Sequence, residues 1–197
     1  MQHQYFNYKN TTVAYQDQGQ GDVIVFLHGF LENMSMWQKT VEDFKFSHRY
    51  VFIDLLGHGQ TGCLGYIHTM EKQADMVVSL LKFLNINQFS LIGHSMGGYI
   101  ALAILEKKPK KVNQVVLLNS TSMADSEERK LNRERAIVAV KQNHQLFIGL
   151  AVGNLFSENS LKNHTCAIEQ LKKEALDSPK QGVIAALSVS IPVIPCH

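Results

Sequence analysis

The ten residues SLIGHSMGGY, numbered 90–99, decide the fold of this chain. A short apolar run ends at Gly93, a serine follows two residues later, and two further glycines lead into a helical pattern. This order predicts a buried strand, a very tight turn with Ser95 at its apex, and a helix that begins directly afterwards. Because the turn crowds the backbone, only residues without a side chain fit at Gly93 and Gly97.

The predicted turn has a chemical consequence for Ser95. Its strained backbone lifts the hydroxyl clear of the chain, where a base could reach it. The N–H of Met96 lies in the first turn of the helix and points to where an oxyanion would form. A G-x-S-x-G pattern also arises by chance in glycine-rich loops, but its place between an apolar strand and an amphipathic helix favours a nucleophilic serine.

The composition is that of an ordinary globular protein. The chain has 197 residues, of which 45% are hydrophobic and 18% charged, and its net charge is +2. Nothing in this balance indicates nucleic acid or an anionic membrane as a partner. We find no secretory signal and no apolar stretch near the ~20 residues that span a bilayer. The scattered cysteines Cys63, Cys166 and Cys196 argue against disulfides or zinc, and the expected location is the cytoplasm.

Strands and helices alternate through the first part of the sequence. Residues 4–18 alternate weakly and predict an antiparallel hairpin, whereas 23–27, 50–54 and 115–119 are apolar runs typical of buried parallel strands. Amphipathic helical patterns separate these runs, with Trp37, Val41 and Phe44 among them as a core-facing stripe. The chain is therefore predicted to form a mostly parallel, doubly wound α/β sheet.

Three motifs in register resemble the landmarks of the α/β-hydrolase family. They are Gly93-His94-Ser95-Met96-Gly97-Gly98, His28-Gly29-Phe30 and Asp54-Leu55-Leu56-Gly57-His58-Gly59. The resemblance covers about residues 5–185. It implies that the first motif is the nucleophile elbow and that the fold carries a helical lid over the serine.

The resemblance also implies roles for individual residues. Phe30, the residue after Gly29, would donate the second oxyanion-hole N–H beside that of Met96. His28 is expected to be structural, because a ring nitrogen there can fix the loop by bonding to backbone. The remaining motif residues that we expect to shape the site without reacting are Gly29, Gly93, His94, Gly97 and Gly98.

The glycine-rich loop at residues 57–59 could be mistaken for a phosphate-binding loop. It lacks both the P-loop and the dinucleotide-binding spacing, so we interpret it as a structural turn beside the site. Asp54 and His58 are accordingly expected to organise the loop and not to react.

The character of the sequence changes after residue 121. Residues 122–190 contain no strong strand candidate and three helical patterns. The first begins at the acidic turn 125–128 and runs towards Phe147. Leu161, Ile168 and Leu171 line the second, and the third is expected to have Ser178 as its N-cap. This segment resembles the lid of the family.

A serine nucleophile needs a base, and the base needs an orienting acid. Family order places both after the serine, but no downstream residue is convincing. Asp125 is expected to cap a helix and Asp177 to lie in a turn. The available histidines are two expected in lid helices and one at the chain end: His144, His164 and His197.

Residues 191–197 carry two prolines where the family continues with a buried strand. The sequence therefore reads as the first part of a hydrolase whose last strands are missing. The predicted division is a core at 1–121, a helical lid at 122–190 and a short tail. Strand 115–119 would then form a sheet edge through which the chain self-associates.

The expected function is hydrolysis of an ester, thioester or amide of a small molecule through an acyl-enzyme on Ser95, without metal or organic cofactor. Two alternatives stay open. One is a non-catalytic binding protein, or an inactive fragment, that kept this fold. The other is a C–C hydrolase or a cofactor-free haloperoxidase, because the same elbow serves those reactions in the family.

Overall fold

Six strands form one mixed sheet in the computed structural model, which describes residues 2–42 and 48–189. Their order across the sheet is β1-β2-β4-β3-β5-β6. The first two strands pair antiparallel with each other and β2 pairs antiparallel with β4, whereas all later pairings are parallel. The strands are β1 (Gln4–Tyr8), β2 (Thr11–Gly19), β3 (Val23–Leu27), β4 (Arg49–Ile53), β5 (Phe89–His94) and β6 (Val112–Leu118).

Helices follow the parallel strands and then dominate the rest of the chain. Two short 3₁₀ segments, Met34–Trp37 and Pro109–Lys111, lie before α1 and β6. The α-helices in the described part are α1 (Gln38–Glu42), α2 (Met70–Phe83), α3 (Met96–Lys107), α4 (Glu127–Gln142), α5 (His144–Gly153), α6 (Glu158–Asn163), α7 (Thr165–Leu176) and α8 (Lys180–Leu187).

Helices cover both faces of the sheet, so the predicted doubly wound α/β fold is confirmed. On one face, α2 and α3 pack against inward-facing residues of the strands, such as Val25 and Leu91. On the other face, Trp37 and Val41 pack with Phe26 and Phe52, as the apolar stripe predicts. Phe44, the third member of that predicted stripe, lies outside the described residues.

The register of the sheet brings two loop-bearing strand ends together. β3 and β5 are parallel neighbours, and Leu27 lies opposite Gly93 in their pairing. Both strands therefore end at the same edge of the sheet. As a result, the loop that starts at His28 lies beside the turn that holds Ser95.

Strand β6 forms one edge of the sheet among the described residues. The side chains of Val116 and Leu118 are 49% and 43% exposed. This is the edge position that the sequence predicts for this strand. Self-association through it stays a prediction.

The helices after β6 share a hydrophobic cluster of their own. It contains Val140, Ile148, Val152, Ile168 and Val183, with Leu31 of the core loop packed against them. The predicted helix limits were partly wrong here. α4 ends at Gln142, because Asn143 leaves the helical conformation and its side chain caps α5 by accepting from the N–H of Leu146.

Two further helix predictions in this region need correction. Leu161 lies in α6, whereas Ile168 and Leu171 lie in α7. His164 interrupts the helical conformation between them, with a φ of −125° and a ψ of 31°. At α8 the N-cap is Pro179 and not Ser178. The predicted tail, residues 191–197, lies outside the described residues.

Candidate active site

Ser95 occupies the junction between β5 and α3 in a strained conformation. Its φ is 48° and its ψ is −112°, which is costly for a residue with a side chain. Three hydrogen bonds hold it there. Its N–H donates to the carbonyl of Leu118 at 3.0 Å, and its own carbonyl accepts from the N–H of Gly98 at 3.0 Å and the Oγ of Ser120 at 2.9 Å.

The glycines around Ser95 lie where no side chain fits. A Cβ on Gly93 would lie 2.6 Å from the amide nitrogen of Gly98. A Cβ on Gly97 would lie 2.8 Å from the carbonyl oxygen of His28, and one on Gly98 would meet the side chain of Ser120. Two of these three obstacles are backbone, which cannot rotate away. The short-range sequence pattern thus has a tertiary reason.

The loop after β3 is fixed by the buried ring of His28. Its Nδ1 donates to the carbonyl of Gly29 at 2.7 Å, and its Nε2 accepts from the N–H of Leu55 at 3.0 Å. Burial, the largest cause, together with the neighbouring His58 lowers the pKa of His28 to about 3. The ring is therefore neutral at physiological pH and has both nitrogens engaged, which leaves it no free nitrogen to accept a proton from Ser95.

Glu32 joins this loop to the turn of Ser95, and sequence reasoning missed it. Its Oε2 accepts from the N–H of Gly29 at 2.6 Å and from Nδ1 of His94 at 2.8 Å. The hydrogen bond to Glu32 is the main reason that the pKa of His94 is raised. The two partners are 62 residues apart in sequence, so no local pattern indicates the pair.

We expect the stability contributed by this ion pair to depend on pH. The pKa of His94 is raised above its ordinary value of 6.5 in the folded protein, so the stabilisation is fully present below 6.5 and is lost as pH rises through the folded pKa. Glu32→Gln should therefore cost about 1 kcal/mol at pH 5.5 and less at pH 9. Thermal melts of both proteins across this range measure the difference.

Glu106→Gln, an exposed site on α3, is the matched control for removal of a carboxylate. It should melt close to the parent protein at every pH. A Glu32→Gln difference that stayed constant from pH 5.5 to 9 would contradict the ion pair.

Asp54 follows the last residue of β4 and joins the loop after β3 to the loop after β4. Its carboxylate accepts from the N–H of Met34 at 2.8 Å and of Gln60 at 2.8 Å, and its carbonyl accepts from Oγ1 of Thr61 at 2.7 Å. Burial raises its pKa, and these backbone donors oppose the rise. Asp54 therefore organises the loops around the site.

His58 is also buried beside the Phe30 loop. Its Nδ1 lies 3.2 Å from the carbonyl of Leu56, and its ring centre is 5.9 Å from that of Phe30. Burial lowers the pKa of His58 to about 4. Its Nε2 is without a hydrogen-bond partner among the described residues. The ring supports the Phe30 side chain from within the protein.

A cavity of about 630 Å³ opens next to Ser95. Its floor comes from the elbow and the end of β6, and one wall comes from helix α4. The lining residues are Ser95, Tyr99, Asn119, Ser120, Thr121, Asp125, Arg129, Asn132, Arg133, Ala136 and Leu187. This volume lies within the range of ordinary small-molecule sites.

The structure corrects the role predicted for Asp125. Ser126, not Asp125, caps α4 by accepting from the N–H of Arg129. The Asp125 side chain is 1% exposed and pairs with Arg133, whose Nε lies 3.0 Å from Oδ2. Asp125 therefore belongs to the cavity wall, a role hidden from sequence because the adjacent serine competes as a cap.

The candidate bases named from the sequence do not meet Ser95 in this cavity. His144 begins α5, and His164 lines a separate cavity near α7. Asp177 lines another, beside Asp54. His197 lies outside the described residues. No histidine of the described ranges lines the Ser95 cavity.

Residues 2–42 and 48–189 contain neither a cluster of metal-binding side chains nor a membrane-spanning helix. No cluster of three or more histidine, cysteine or acidic side chains is placed to hold a metal ion. No helix in these ranges is long and apolar enough to cross a membrane.

The chain belongs to the alpha/beta hydrolase fold family, whose profile matches residues 22–173. It is 29% identical over 135 residues to (E)-2-((N-methylformamido)methylene)succinate hydrolase of Acinetobacter baylyi. The aligned residues make up 68% of this chain and 51% of that hydrolase. An uncharacterized hydrolase of Bacillus subtilis is 33% identical over 108 residues, which are 54% of this chain and 39% of that protein. The chain thus spans about half or less of these relatives.

Solved structures give the same family. A thermophilic esterase from Thermogutta terrifontis superposes with a TM-score of 0.85 at 29% identity, covering 95% of this chain and 71% of the esterase. An enol-lactonase from Burkholderia xenovorans has a TM-score of 0.85 at 20% identity, covering 95% and 75%, and so shows the fold alone. The resemblance read from the three motifs is confirmed.

Proposed function

We propose that this protein is a serine hydrolase that cleaves an ester, thioester or amide of a small molecule through an acyl-enzyme on Ser95. The observation that carries the proposal is the position of Ser95. It is held at a φ of 48° by three backbone-directed hydrogen bonds and lines a cavity of substrate size. Strain maintained by so many contacts is typical of functional sites.

In the first half of the reaction, the Ser95 oxygen bonds to the substrate carbonyl carbon and loses its proton to a base. The tetrahedral oxyanion collapses, the bond to the leaving group breaks, and that group takes a proton. Water then attacks the acyl-serine ester and releases the acid. No cofactor is consumed in either half.

The N–H groups of Met96 and Phe30 are proposed to stabilise the oxyanion. Met96 begins α3, and no side chain caps that helix end within the described residues, so its positive end is directed to the site. Phe30 follows Gly29, which Glu32 ties to the elbow. The pairing of Leu27 with Gly93 supports the proposal, since it brings the two donors to one edge of the sheet.

The helical region after β6 is proposed to act as a lid that shapes the substrate pocket. Helix α4 supplies one wall of the Ser95 cavity, and Leu187 of α8 lines it too. α8 also lies directly on the core, because a Cβ on Gly182 would lie 2.6 Å from the Cα of Gly57. Substrate choice would then depend on this region.

A non-catalytic binding protein is the second candidate. The observation that favours it is the absence of a histidine among the described residues of the cavity wall. A serine without a base is a poor nucleophile.

Labelling with a fluorophosphonate separates the two candidates. The protein expressed from its complete coding sequence should be labelled within minutes, and peptide mass spectrometry should place the label on Ser95. Heat-denatured protein is the control, because it retains the serine and loses the turn. Native protein that stays unlabelled, or carries the label on another serine, would favour the binding protein.

A further inference from the structure

The wall of the Ser95 cavity formed by α4 is cationic. Arg129, Asn132, Arg133 and Ala136 all line the cavity. The last three follow Arg129 by three, four and seven residues, so all four lie on one face of the helix. The cavity therefore presents two guanidinium groups to any molecule that reaches Ser95.

The two arginines differ in how their charge is balanced. Arg133 is paired with Asp125, with Nε and Nη2 at 3.0 and 3.5 Å from the carboxylate oxygens. The Arg129 side chain is exposed, and no hydrogen bond or ion pair of its guanidinium is found within the described ranges. Because the described residues contribute no other charged side chain to the lining, they give this wall one net positive charge.

The other described residues of the lining carry no charge. Asn119, Ser120, Thr121 and Asn132 add amide and hydroxyl groups to the same cavity. Such groups hydrogen-bond to an anion without cancelling the charge of the guanidinium. Glu127, in the same turn as Arg129, is engaged by Lys130 at 2.7 Å.

We propose that the site selects acyl substrates that carry a carboxylate at the end remote from the scissile bond. This inference rests on the proposed function and adds the substrate class. Arg129 would bind the carboxylate, because a guanidinium matches its two oxygens with two parallel N–H donors. The ion pair of Asp125 and Arg133 stabilises the same wall. A half-ester of a short dicarboxylic acid combines a scissile ester with the required negative charge.

A binding experiment tests this without requiring turnover. The probes are glutaramate and glutaric diamide, which have the same shape and differ by one carboxylate in place of one carboxamide. Titration calorimetry at low ionic strength, on the Ser95→Ala protein, should show glutaramate binding about tenfold more tightly, as expected for one charge-assisted bidentate contact. The preference should weaken as salt is raised.

Variants on α4 identify the residue responsible. Arg129→Gln should reduce the preference for glutaramate at least fivefold, and Arg129→Lys should restore part of it. Arg135→Gln is the matched control, because Arg135 is exposed on the same helix and does not line the cavity. It should leave the preference unchanged. Thermal melts confirm that each variant is folded.

Three results would overturn the inference. They are equal binding of the two probes, binding of neither probe, and an equal loss of preference in Arg129→Gln and Arg135→Gln. The proposed function is judged separately, by turnover of esters in the parent protein and its loss in Ser95→Ala. A failure of either proposal can therefore be recognised without the other.

Discussion

Replacing Ser95 with alanine is expected to abolish turnover of small esters, with a loss of at least about a thousandfold in kcat. The substitution removes the oxygen that would attack the substrate carbonyl. Without it no acyl-enzyme forms, so there is no covalent intermediate for water to hydrolyse. Folding should be unaffected, because the three hydrogen bonds that fix the turn use the backbone of Ser95 and the hydroxyl of Ser120. Steady-state kinetics and a thermal melt measure both effects.

Ser79→Ala is the matched control for this substitution. Ser79 lies on α2 and does not line the cavity, and among the described residues its hydroxyl bonds to the carbonyl of Asp75 alone. The control should keep the rate of the parent protein. Equal rates for Ser95→Ala and the parent protein, with both folded, would remove Ser95 from the mechanism.

The largest effect on stability is expected for Gly97→Val. A Cβ at this position would lie 2.6 Å from the carbonyl carbon of Leu27 and 2.8 Å from the carbonyl oxygen of His28. Both obstacles belong to the backbone of a buried strand end, so they cannot move without breaking the sheet. We expect a loss of about 3 kcal/mol or more, seen as a lower midpoint of denaturation or as insoluble protein.

Gly149→Ala provides the opposite case within the same chain. Gly149 lies in α5, and a Cβ there would meet nothing within 4 Å. Alanine should stabilise that helix by about 0.5–1 kcal/mol, because it restricts the unfolded chain more than glycine does. If Gly97→Val and Gly149→Ala had the same midpoint, the crowding of the elbow would be refuted.

The sequence predicted the parts of this protein that depend on near neighbours. The elbow is one contiguous stretch, and a serine between Gly93 and Gly97 has few conformations that satisfy both a buried strand and a helix. The apolar runs of β3 and β4 likewise identify buried strands, because a strand covered on both faces needs apolar side chains throughout. These local requirements were enough for the fold class and for the candidate nucleophile.

Limits of the helices after β6 were predicted less well. Asn143 and His164 interrupt patterns that would otherwise continue as longer helices. A polar residue next to an apolar stripe can end a helix or lie on its exposed face, and packing decides between the two. The buried cluster of Val140, Ile148 and Ile168 is the packing that made this choice.

The composition and order of the residues determined that this chain forms a hydrolase-type sheet with Ser95 at its elbow. Only the tertiary structure decided that Glu32 bonds to His94, that Asp125 pairs with Arg133 and that Arg129 lines the same cavity as Ser95. The physical reason is distance. Backbone conformation and burial follow from residues within a few positions of each other, whereas charge pairs and cavity walls form between segments that folding alone brings together, and their partners carry no matching signal in the sequence.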